Sequence, residues 1–354
     1  SDCNGKSGFD IVIGNPPYGA TIKESEKKTI KGLYITSKTI KGVQKGSMDS
    51  FTLFIELGYN LLADNGNLTY IVPIAFTSSD SLSGVHRLLL NNCDTLSVSS
   101  YSVRPQPVFK NAVVNTSIIA FRKTRTINRS VLATKMHRRG KDFDLEYLIK
   151  NLKFAEVTDY LMFGRIPKIS EPIEKELLRK LLPMKNVGDY KVSDGKKIYY
   201  RSTGGRYFKV VTNYSTGSSK EKELELSPLY ANAIGCILSS NLAFWFYQVY
   251  SNNLDWREGE ISAMPVPNMN ETQIRSLNDL YAVYLSDIER NVNIRQTSGD
   301  SSYLMDSFRE YKIVKSKAII DEIDDLLAPM YGLSKSELQF VKNYELEFRM
   351  SGDD

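Results

Sequence analysis

Four residues near the start of the 354-residue chain, Asn15-Pro16-Pro17-Tyr18, follow directly after a short apolar run and have the chemistry of a binding motif. Each proline fixes its own φ and lacks an N–H group, and the residue before a proline is pushed towards extended geometry. We therefore expect Asn15 and Pro16 to be extended, with exposed carbonyl groups, and Tyr18 to project just beyond them. A rigid edge of hydrogen-bond acceptors beside an aromatic ring suits a flat ligand that carries an amino group.

The chemistry that such an edge can support is the activation of a conjugated amine. An exocyclic amine on a purine ring is a poor nucleophile because its lone pair is delocalised. The side-chain oxygen of Asn15 and the carbonyl of Pro16 can accept both amino hydrogens while the nitrogen attacks a methyl group. Tyr18 can stack on a base that has left its duplex, a contact worth on the order of 1–3 kcal/mol. Positioning and electrostatics would then supply most of the catalysis.

The segments around this motif predict the elements that position it. Apolar strand-like runs alternate with helix-like runs, a pattern typical of an α/β layer with a mostly parallel sheet. Asp49 is a suitable N-cap for a helix with Phe51, Phe54 and Ile55 at helical spacing, and the lysine-rich stretch 21–47 predicts a long loop. The predicted strands are 9–13, which is expected to be buried, 68–72, 95–101 and 114–121, and the predicted helices are 50–63 and 82–91.

The chain changes in character after about residue 122. Two β-like runs, KIYYRS and YFKVVTNYS, are broken by glycine-rich turns and followed by one long helix-like run, NAIGCILSSNLAFWFYQVYS, whose Trp245, Phe246 and Tyr247 we expect in the core. From residue 268 the pattern is helical, over 270–290 and 310–328. Ser334 and Glu337 then form a capping box.

Composition limits the classes of protein that fit. Hydrophobic residues make up 42% and charged residues 25%, which is ordinary for a globular protein. No apolar run is long enough to span a bilayer and no secretory signal is present, so we expect a cytoplasmic protein with no membrane contact. Three scattered cysteines and two histidines predict neither a disulfide framework nor a metal site.

Basic residues are concentrated in two places. Residues 122–139 contain seven Lys or Arg and no Asp or Glu, which indicates either a solvated linker or a segment that follows a phosphate backbone. Residues 195–223 mix cations with tyrosines, and the two glycines at 204 and 205 allow a close approach to a ligand. The alternative for this second stretch is an ordinary hairpin. The candidate DNA contacts are Lys123, Arg125 and Arg129 in the first stretch and Arg201, Arg206 and Lys209 in the second.

The four-residue motif directly after a strand resembles motif IV of the amino-methyltransferases that act on adenine in DNA. The helix 50–63, the strand NLTYIVP and the segment SVRPQPVFKNAVVNTSIIAFRK resemble the later half of gamma-class adenine methyltransferases. Residues 198–215 and the run that ends in MPVP resemble the TaqI-type specificity domain. The last 36 residues before SGDD resemble the C-terminus of large bacterial restriction-modification methylases. The resemblance therefore covers nearly the whole chain and is to the C-terminal half of type IIG restriction-modification enzymes.

This resemblance implies roles for individual residues. Asn15, Pro16 and Tyr18 fall on the catalytic motif, and Pro17 is the scaffold between them. Phe109 falls where the family places a second aromatic that contacts the flipped base edge-on, although Tyr101 lies nearby and a core position for Phe109 is the alternative. The implied partner is double-stranded DNA, and the implied cofactor is S-adenosylmethionine.

The implied fold is a partial Rossmann-like α/β methyltransferase sheet over 1–125, a mixed α+β target-recognition domain over 126–267 and a helical C-terminal segment over 268–354. The chain departs from the family at one important point, because it contains no Gly-x-Gly sequence anywhere. The backbone approach that binds the methionine end of the cofactor is therefore missing, and Asn15 is the one cofactor contact expected. We expect the chain by itself to be inactive and to bind the cofactor poorly.

Other functions fit parts of the sequence. Protein-glutamine methyltransferases also use Asn-Pro-Pro-Tyr, but they end soon after the catalytic domain, whereas over 200 residues follow here. A nuclease would need Asp…Glu-x-Lys; Glu26-Lys27-Lys28 matches the last part, but Asp10 lies inside the predicted strand, so we treat the match as chance. A DNA-binding specificity module without its own catalysis is the alternative from another class. We favour a fragment of a site-specific DNA adenine-N6 methyltransferase of a restriction-modification enzyme.

Overall fold

In the computed structural model of the chain, the described residues are 7–19, 22–109, 114–124, 130–140, 144–203, 209–296 and 307–350. They form two compact units, Ser1–Lys175 and Glu176–Asp354. The boundary between these units, after Lys175, coincides with neither predicted domain boundary. At the first predicted boundary, after residue 125, the strands on both sides belong to one sheet. The division by function into three parts stays a prediction.

The first unit contains one sheet and a set of short helices. Its elements are β1 (Phe9–Gly14), α1 (Glu24–Leu33), α2 (Ser50–Leu61), β2 (Leu62–Pro73), α3 (Ala75–Ser78), α4 (Ser83–Asn92), β3 (Cys93–Tyr101), β4 (Thr116–Lys123), β5 (Ser130–His137), α5 (Leu145–Lys150) and β6 (Ala155–Glu156). The α/β class is confirmed, and so are the helices predicted at 50–63 and 82–91.

The sheet of the first unit is mixed, and the prediction of a mostly parallel sheet is wrong. Its strand order is β1-β2-β4-β3-β5-β6, with parallel pairing of β1 to β2 and of β3 to β5 and antiparallel pairing elsewhere. The described residues between β3 and β4 contain no helix, so the chain makes no crossover there and returns antiparallel.

One edge of this sheet gathers the segments that matter for function. The pairs Gly14 with Tyr70, Pro73 with Thr116, and Tyr101 with Thr116 lie at the carboxyl ends of β1, β2 and β3 and at the start of β4. Residues 15–18, 74–78 and 102–109 therefore leave the sheet along the same edge. Because β4 runs in the opposite direction, its own end lies at the other edge of the sheet.

Two local predictions in the first unit are wrong. Strand β1 is not buried: it has a neighbour on one side among the described residues, and Phe9, Ile11 and Ile13 are 60%, 71% and 78% exposed. The predicted loop 21–47 contains helix α1. The helix begins with a carboxylate of Glu26 accepting from the Lys23 N–H (3.2 Å) and has a Lys27–Glu24 pair on its surface. Such local pairs offset the polar composition that favoured a loop.

The helix α6 (Pro172–Leu181) crosses the boundary, and the second unit follows. Its elements are β7 (Lys185–Asn186), β8 (Lys191–Arg201), β9 (Val211–Thr212), β10 (Glu221–Leu226), α7 (Ala231–Leu238), α8 (Asn241–Tyr250), α9 (Glu258–Ser262), β11 (Pro265–Val266), α10 (Glu271–Arg290), β12 (Val292–Gln296), β13 (Ser307–Tyr311), α11 (Lys317–Tyr331), α12 (Lys335–Asn343) and α13 (Leu346–Met350). Strands β10, β8 and β9 form an antiparallel sheet.

The core of the second unit is built around α8. The aromatic side chains at 244–247 are all buried, which confirms the core position predicted for Trp245, Phe246 and Tyr247. The long helix-like run divides in two at Ser240, whose hydroxyl accepts from the Ala243 N–H (3.0 Å) and so caps α8. The Ser334–Glu337 capping box is confirmed at α12. Within the described ranges, no helix has the length and apolar character needed to cross a membrane.

Candidate active site

The Asn-Pro-Pro-Tyr motif leaves the sheet at the carboxyl end of β1. Asn15 is exposed, Pro16 is buried and Tyr18 is half-buried. Gly14, directly before the motif, lies against the ring of Tyr70, and a Cβ at this position would come 3.2 Å from the ring. The chain therefore passes close over the neighbouring strand before it turns outwards.

Two hydrogen bonds hold the motif in place. The hydroxyl of Tyr18 donates to the carbonyl of Ile71 in β2 (3.0 Å), and the hydroxyl of Ser50, the first residue of α2, donates to the carbonyl of Pro17 (2.6 Å). Burial raises the pKa of Tyr18 to about 12, so its phenol is neutral near pH 7 and acts as a donor. The motif is thus attached both to the sheet and to the start of a helix.

The two acceptors that the sequence singled out differ in exposure, because Asn15 is exposed whereas Pro16 is buried, contrary to the exposed carbonyl expected for it. In the described part of the chain, neither the side-chain oxygen of Asn15 nor the carbonyl of Pro16 has a hydrogen-bond partner, whereas the carbonyl of Pro17 is occupied by Ser50. A pair of acceptors without such partners, on a fixed backbone, is suited to receive two N–H groups of a ligand.

The segment 102–109 carries Phe109 at the same edge of the sheet. It is held by the end of β5: the N–H of Ser102 donates to the carbonyl of His137 (2.8 Å), and the N–H of Gln106 donates to the carbonyl of Arg139 (3.1 Å). Phe109 is half-buried, whereas Tyr101 is buried. Burial leaves Tyr101 no face for a ligand, so the geometry favours Phe109 of the two.

Within the described part of the basic stretch 122–139, Lys123 has a position different from the one that the composition indicated. Lys123 donates from its ammonium to the carbonyls of Tyr59 (3.2 Å) and Leu62 (2.8 Å) and lies over the Tyr59 ring, so it caps the carboxyl end of α2. It lies at the sheet edge opposite to Asn15. The predicted DNA contact at Lys123 does not agree with this position. Arg125 and Arg129 lie outside the described residues.

The cations predicted in the second unit have different environments. Arg201 is exposed at the end of β8, and Arg206 lies outside the described residues. Lys209 is buried, with its ammonium 4.1 Å from the Tyr247 ring centroid and 5.9 Å from that of Trp256, and its Nζ has no hydrogen-bond partner among the described atoms. Burial lowers the pKa of Lys209 to about 7. A buried ammonium cannot reach a phosphate, so the prediction of a DNA contact at Lys209 is wrong for this structure.

Carboxylates also occupy the outward face of the β8–β10 sheet. Glu221, Glu223 and Glu225 lie opposite Arg201, Tyr199 and Lys197 in the antiparallel register. The ammonium of Lys197 is 2.8 Å from a carboxylate oxygen of Glu223 and 3.7 Å from one of Glu225. These glutamates neutralise much of the positive charge that the sequence of β8 indicated. Of the three DNA contacts predicted in the second unit, Arg201 is the one that is both described and exposed.

The described residues supply one side of a cofactor site. In open α/β sheets a nucleotide-like cofactor lies outside the carboxyl ends of the strands, between neighbouring strands, with a glycine-rich turn against it. Asn15 stands at such an end, but the described residues place no strand beyond β1 and the chain has no Gly-x-Gly turn. The residues present do not fit a complete S-adenosylmethionine site, so we derive no step through that molecule.

Sequence reasoning missed the residues that hold the motif. Ser50 and Ile71 are ordinary members of a helix and a strand, and nothing in the sequence indicates that they contact Pro17 and Tyr18. Glu56 did give a signal, because it is a carboxylate within an apolar helical run. It is buried and accepts from the N–H groups of Ile35 and Thr36, each at 2.9 Å.

Comparison with known proteins agrees with the geometry of this edge. Residues 1–109 match the family model described as Eco57I restriction-modification methylase. This region is therefore similar to the Eco57I-type restriction-modification methylases. The chain is 29% identical over 143 residues to the type II restriction enzyme and methyltransferase RM.Eco57I of Escherichia coli, which covers 40% of this chain and 14% of that protein. It is 35% identical over 80 residues to the type II methyltransferase M.TthHB8I of Thermus thermophilus, covering 21% of this chain and 18% of that one.

The fold of the chain is also found in a solved structure. The type IIL restriction-modification enzyme MmeI in complex with DNA matches 96% of this chain and 57% of its own chain, with a TM-score of 0.55 and 11% identity. At that identity the likeness shows the fold alone. The chain spans less than a fifth of the length of these two curated relatives.

Proposed function

We propose that this chain is the target-base side of a site-specific DNA adenine-N6 methyltransferase of a restriction-modification enzyme. The observation that carries the proposal is the fixed motif at the end of β1, where Pro17 and Tyr18 are anchored while the Asn15 side-chain oxygen and the Pro16 carbonyl have no hydrogen-bond partner among the described residues. The family match over residues 1–109 supports the same conclusion.

The proposed division of labour follows from this geometry. Asn15 and Pro16 accept the two hydrogens of the adenine amino group, which localises the lone pair of the nitrogen towards an incoming methyl group. Tyr18 stacks on the extruded base, and its bond to Ile71 fixes the ring. Because the phenol stays neutral, Tyr18 positions the base and does not remove its proton. Phe109 contacts the edge of the same base.

The methyl donor in this proposal is S-adenosylmethionine, for which Asn15 would form one side of the site and which would supply the electrophilic methyl group when bound. The exposed outer side of β1, with Ile11 and Ile13 uncovered, is the surface on which further structure would complete the cleft.

The second unit is proposed to recognise a specific sequence in double-stranded DNA, with Arg201 as a base or phosphate contact, in a cytoplasmic enzyme.

The test is the substitution Asn15→Ala in the full-length protein, with Asn60→Ala as a matched control. Asn60 is an exposed residue of α2 that lies away from the motif. We expect Asn15→Ala to abolish transfer of a tritiated methyl group to unmethylated DNA, to leave DNA binding largely unchanged, and Asn60→Ala to behave like the wild type. Wild-type methylation by Asn15→Ala would contradict the proposal, as would equal losses in both variants.

A further inference from the structure

Four exposed lysines, Lys28, Lys31, Lys38 and Lys41, lie on the segment that follows the motif, and we call them the lysine surface. None of them forms an ion pair with a carboxylate in the part of the chain that the structure describes. The nearby acids are engaged elsewhere: Glu24 pairs with Lys27 (2.7 Å), and Glu26 accepts from the backbone of Lys23. The segment therefore presents uncompensated positive charge.

Helix α2 fixes this segment relative to the base-binding motif. Ser50 holds Pro17, and Glu56 holds Ile35 and Thr36 through two backbone bonds and one to the Thr36 hydroxyl (2.6 Å). Six residues of helix correspond to about 9 Å along its axis. One DNA strand rises about 3.4 Å per nucleotide, so this separation equals two to three nucleotides.

A second contact fixes the far end of the segment. The side-chain amide of Gln44 donates to the carbonyls of Ile35 (3.0 Å) and Lys38 (2.7 Å), and the N–H of Lys45 donates to Ser83 of α4 (2.8 Å). The turn that carries Lys38 and Lys41 is therefore part of the folded unit and is attached to α4.

Helix α1 adds a separate indication that this surface has a partner. It has ten residues and buries none of its side chains. Helices shorter than about 12 residues are marginal in water without tertiary packing. Lys28 and Lys31 are three residues apart and so lie on one face. An array of phosphates along that face would stabilise the helix by charge pairing.

We propose that the lysine surface binds the DNA phosphates next to the target nucleotide. This inference rests on the proposed function and assigns the phosphate contacts to a segment different from the basic stretch 122–139. The exposed Leu33 and Ile35 lie among the lysines, and a protein partner is the competing occupant. DNA is favoured because α2 ties the lysines to the motif that receives a DNA base.

The experiment is a salt titration of duplex binding by the 354-residue chain, followed by fluorescence anisotropy. The quadruple variant Lys28→Gln, Lys31→Gln, Lys38→Gln, Lys41→Gln removes the four charges and keeps a polar side chain of similar helix propensity. The control is Lys150→Gln with Lys153→Gln, two exposed lysines of the same unit that face Glu146 and Glu171. Each lost phosphate contact should reduce the magnitude of the slope of log binding constant against log salt concentration by about 0.9. The slope of the quadruple variant should therefore be smaller in magnitude by about 2 to 4.

The outcomes separate this inference from the proposed function. A flatter slope in the quadruple variant, with the control and the far-ultraviolet circular dichroism unchanged, supports the lysine surface. A wild-type slope in the quadruple variant overturns it, leaves the methyltransferase proposal intact and is the result expected for a protein partner. A wild-type chain that binds no duplex even at 50 mM salt contradicts both.

Discussion

The buried Lys209 makes the stability of the second unit depend on pH in a way that one substitution can isolate. Its pKa is lowered from 10.5 to about 7, chiefly because burial removes the ammonium from water, while Glu260 and Asp255 act in the opposite direction. A shift of this size corresponds to about 5 kcal/mol. The contact with the Tyr247 ring favours the charged form by on the order of 2 kcal/mol, which is less than the opposing effect of burial, so burial decides the sign of the pKa shift.

The pH window follows from the two pKa values. Below pH 7 the folded and unfolded chains both carry the proton, and the full cost of burying the charge is present. Between pH 7 and 10.5 the unfolded chain keeps a proton that the folded chain has released, so the free energy of unfolding rises with pH. From pH 7 to pH 9 this group alone should stabilise the folded state by about 2 kcal/mol, since the folded amine is already half deprotonated at pH 7.

The substitution is Lys209→Met, which keeps an unbranched side chain out to Cε and removes the ammonium group. We expect the variant to be more stable than the wild type at pH 7, and the difference to shrink by about 2 kcal/mol by pH 9. Urea unfolding followed by tryptophan fluorescence measures this, because both tryptophans, Trp245 and Trp256, lie in the second unit. The control is Lys222→Met, an exposed lysine of β10. A difference between wild type and Lys209→Met that is the same at both pH values would refute the reasoning.

Two further predictions concern the cofactor and the basic stretch. The 354-residue chain should show no S-adenosylmethionine binding by calorimetry, because the described residues form one side of the cleft; micromolar affinity, about −8 kcal/mol, would contradict this. Lys123→Met should lower the free energy of unfolding by about 1 kcal/mol through loss of the α2 cap and leave the salt dependence of DNA binding unchanged; a flatter salt slope would restore Lys123 as a DNA contact.

The parts of the fold that the sequence predicted are those with strong local signals. The helix α2 has apolar residues at helical spacing and begins at Ser50, directly after Asp49, as expected, although the Asp49 side chain makes no capping hydrogen bond in the described structure. The helix α1 was missed because its stability depends on surface pairs such as Lys27–Glu24, which periodicity does not reveal. The direction of β4 was missed because it depends on the absence of a crossover helix, a property of the connection and not of the strand.

At the candidate site, the sequence alone is equally limited in predicting the roles of charged residues. Counting cations along the sequence cannot distinguish a lysine that caps a helix, such as Lys123, from one that is free, such as Lys38. Lys209 directly follows Tyr207 and Phe208 in the sequence. That pattern fits a nucleic-acid surface as well as the buried position that Lys209 has in the structure. What decides between them is the partner of each ammonium, which only the tertiary structure supplies.

Helix α2 connects the two parts of the proposed DNA site. Its first residue holds the backbone of the motif, and a buried carboxylate near its middle holds the segment that bears the lysine surface. A carboxylate at a buried position costs free energy unless it is fully hydrogen-bonded, and Glu56 meets that condition by accepting from Ile35 and Thr36. An apolar residue would pack there as well, but it would release the segment. We therefore interpret Glu56 as the residue that sets where the lysines stand relative to Asn15, a role in positioning and not in chemistry.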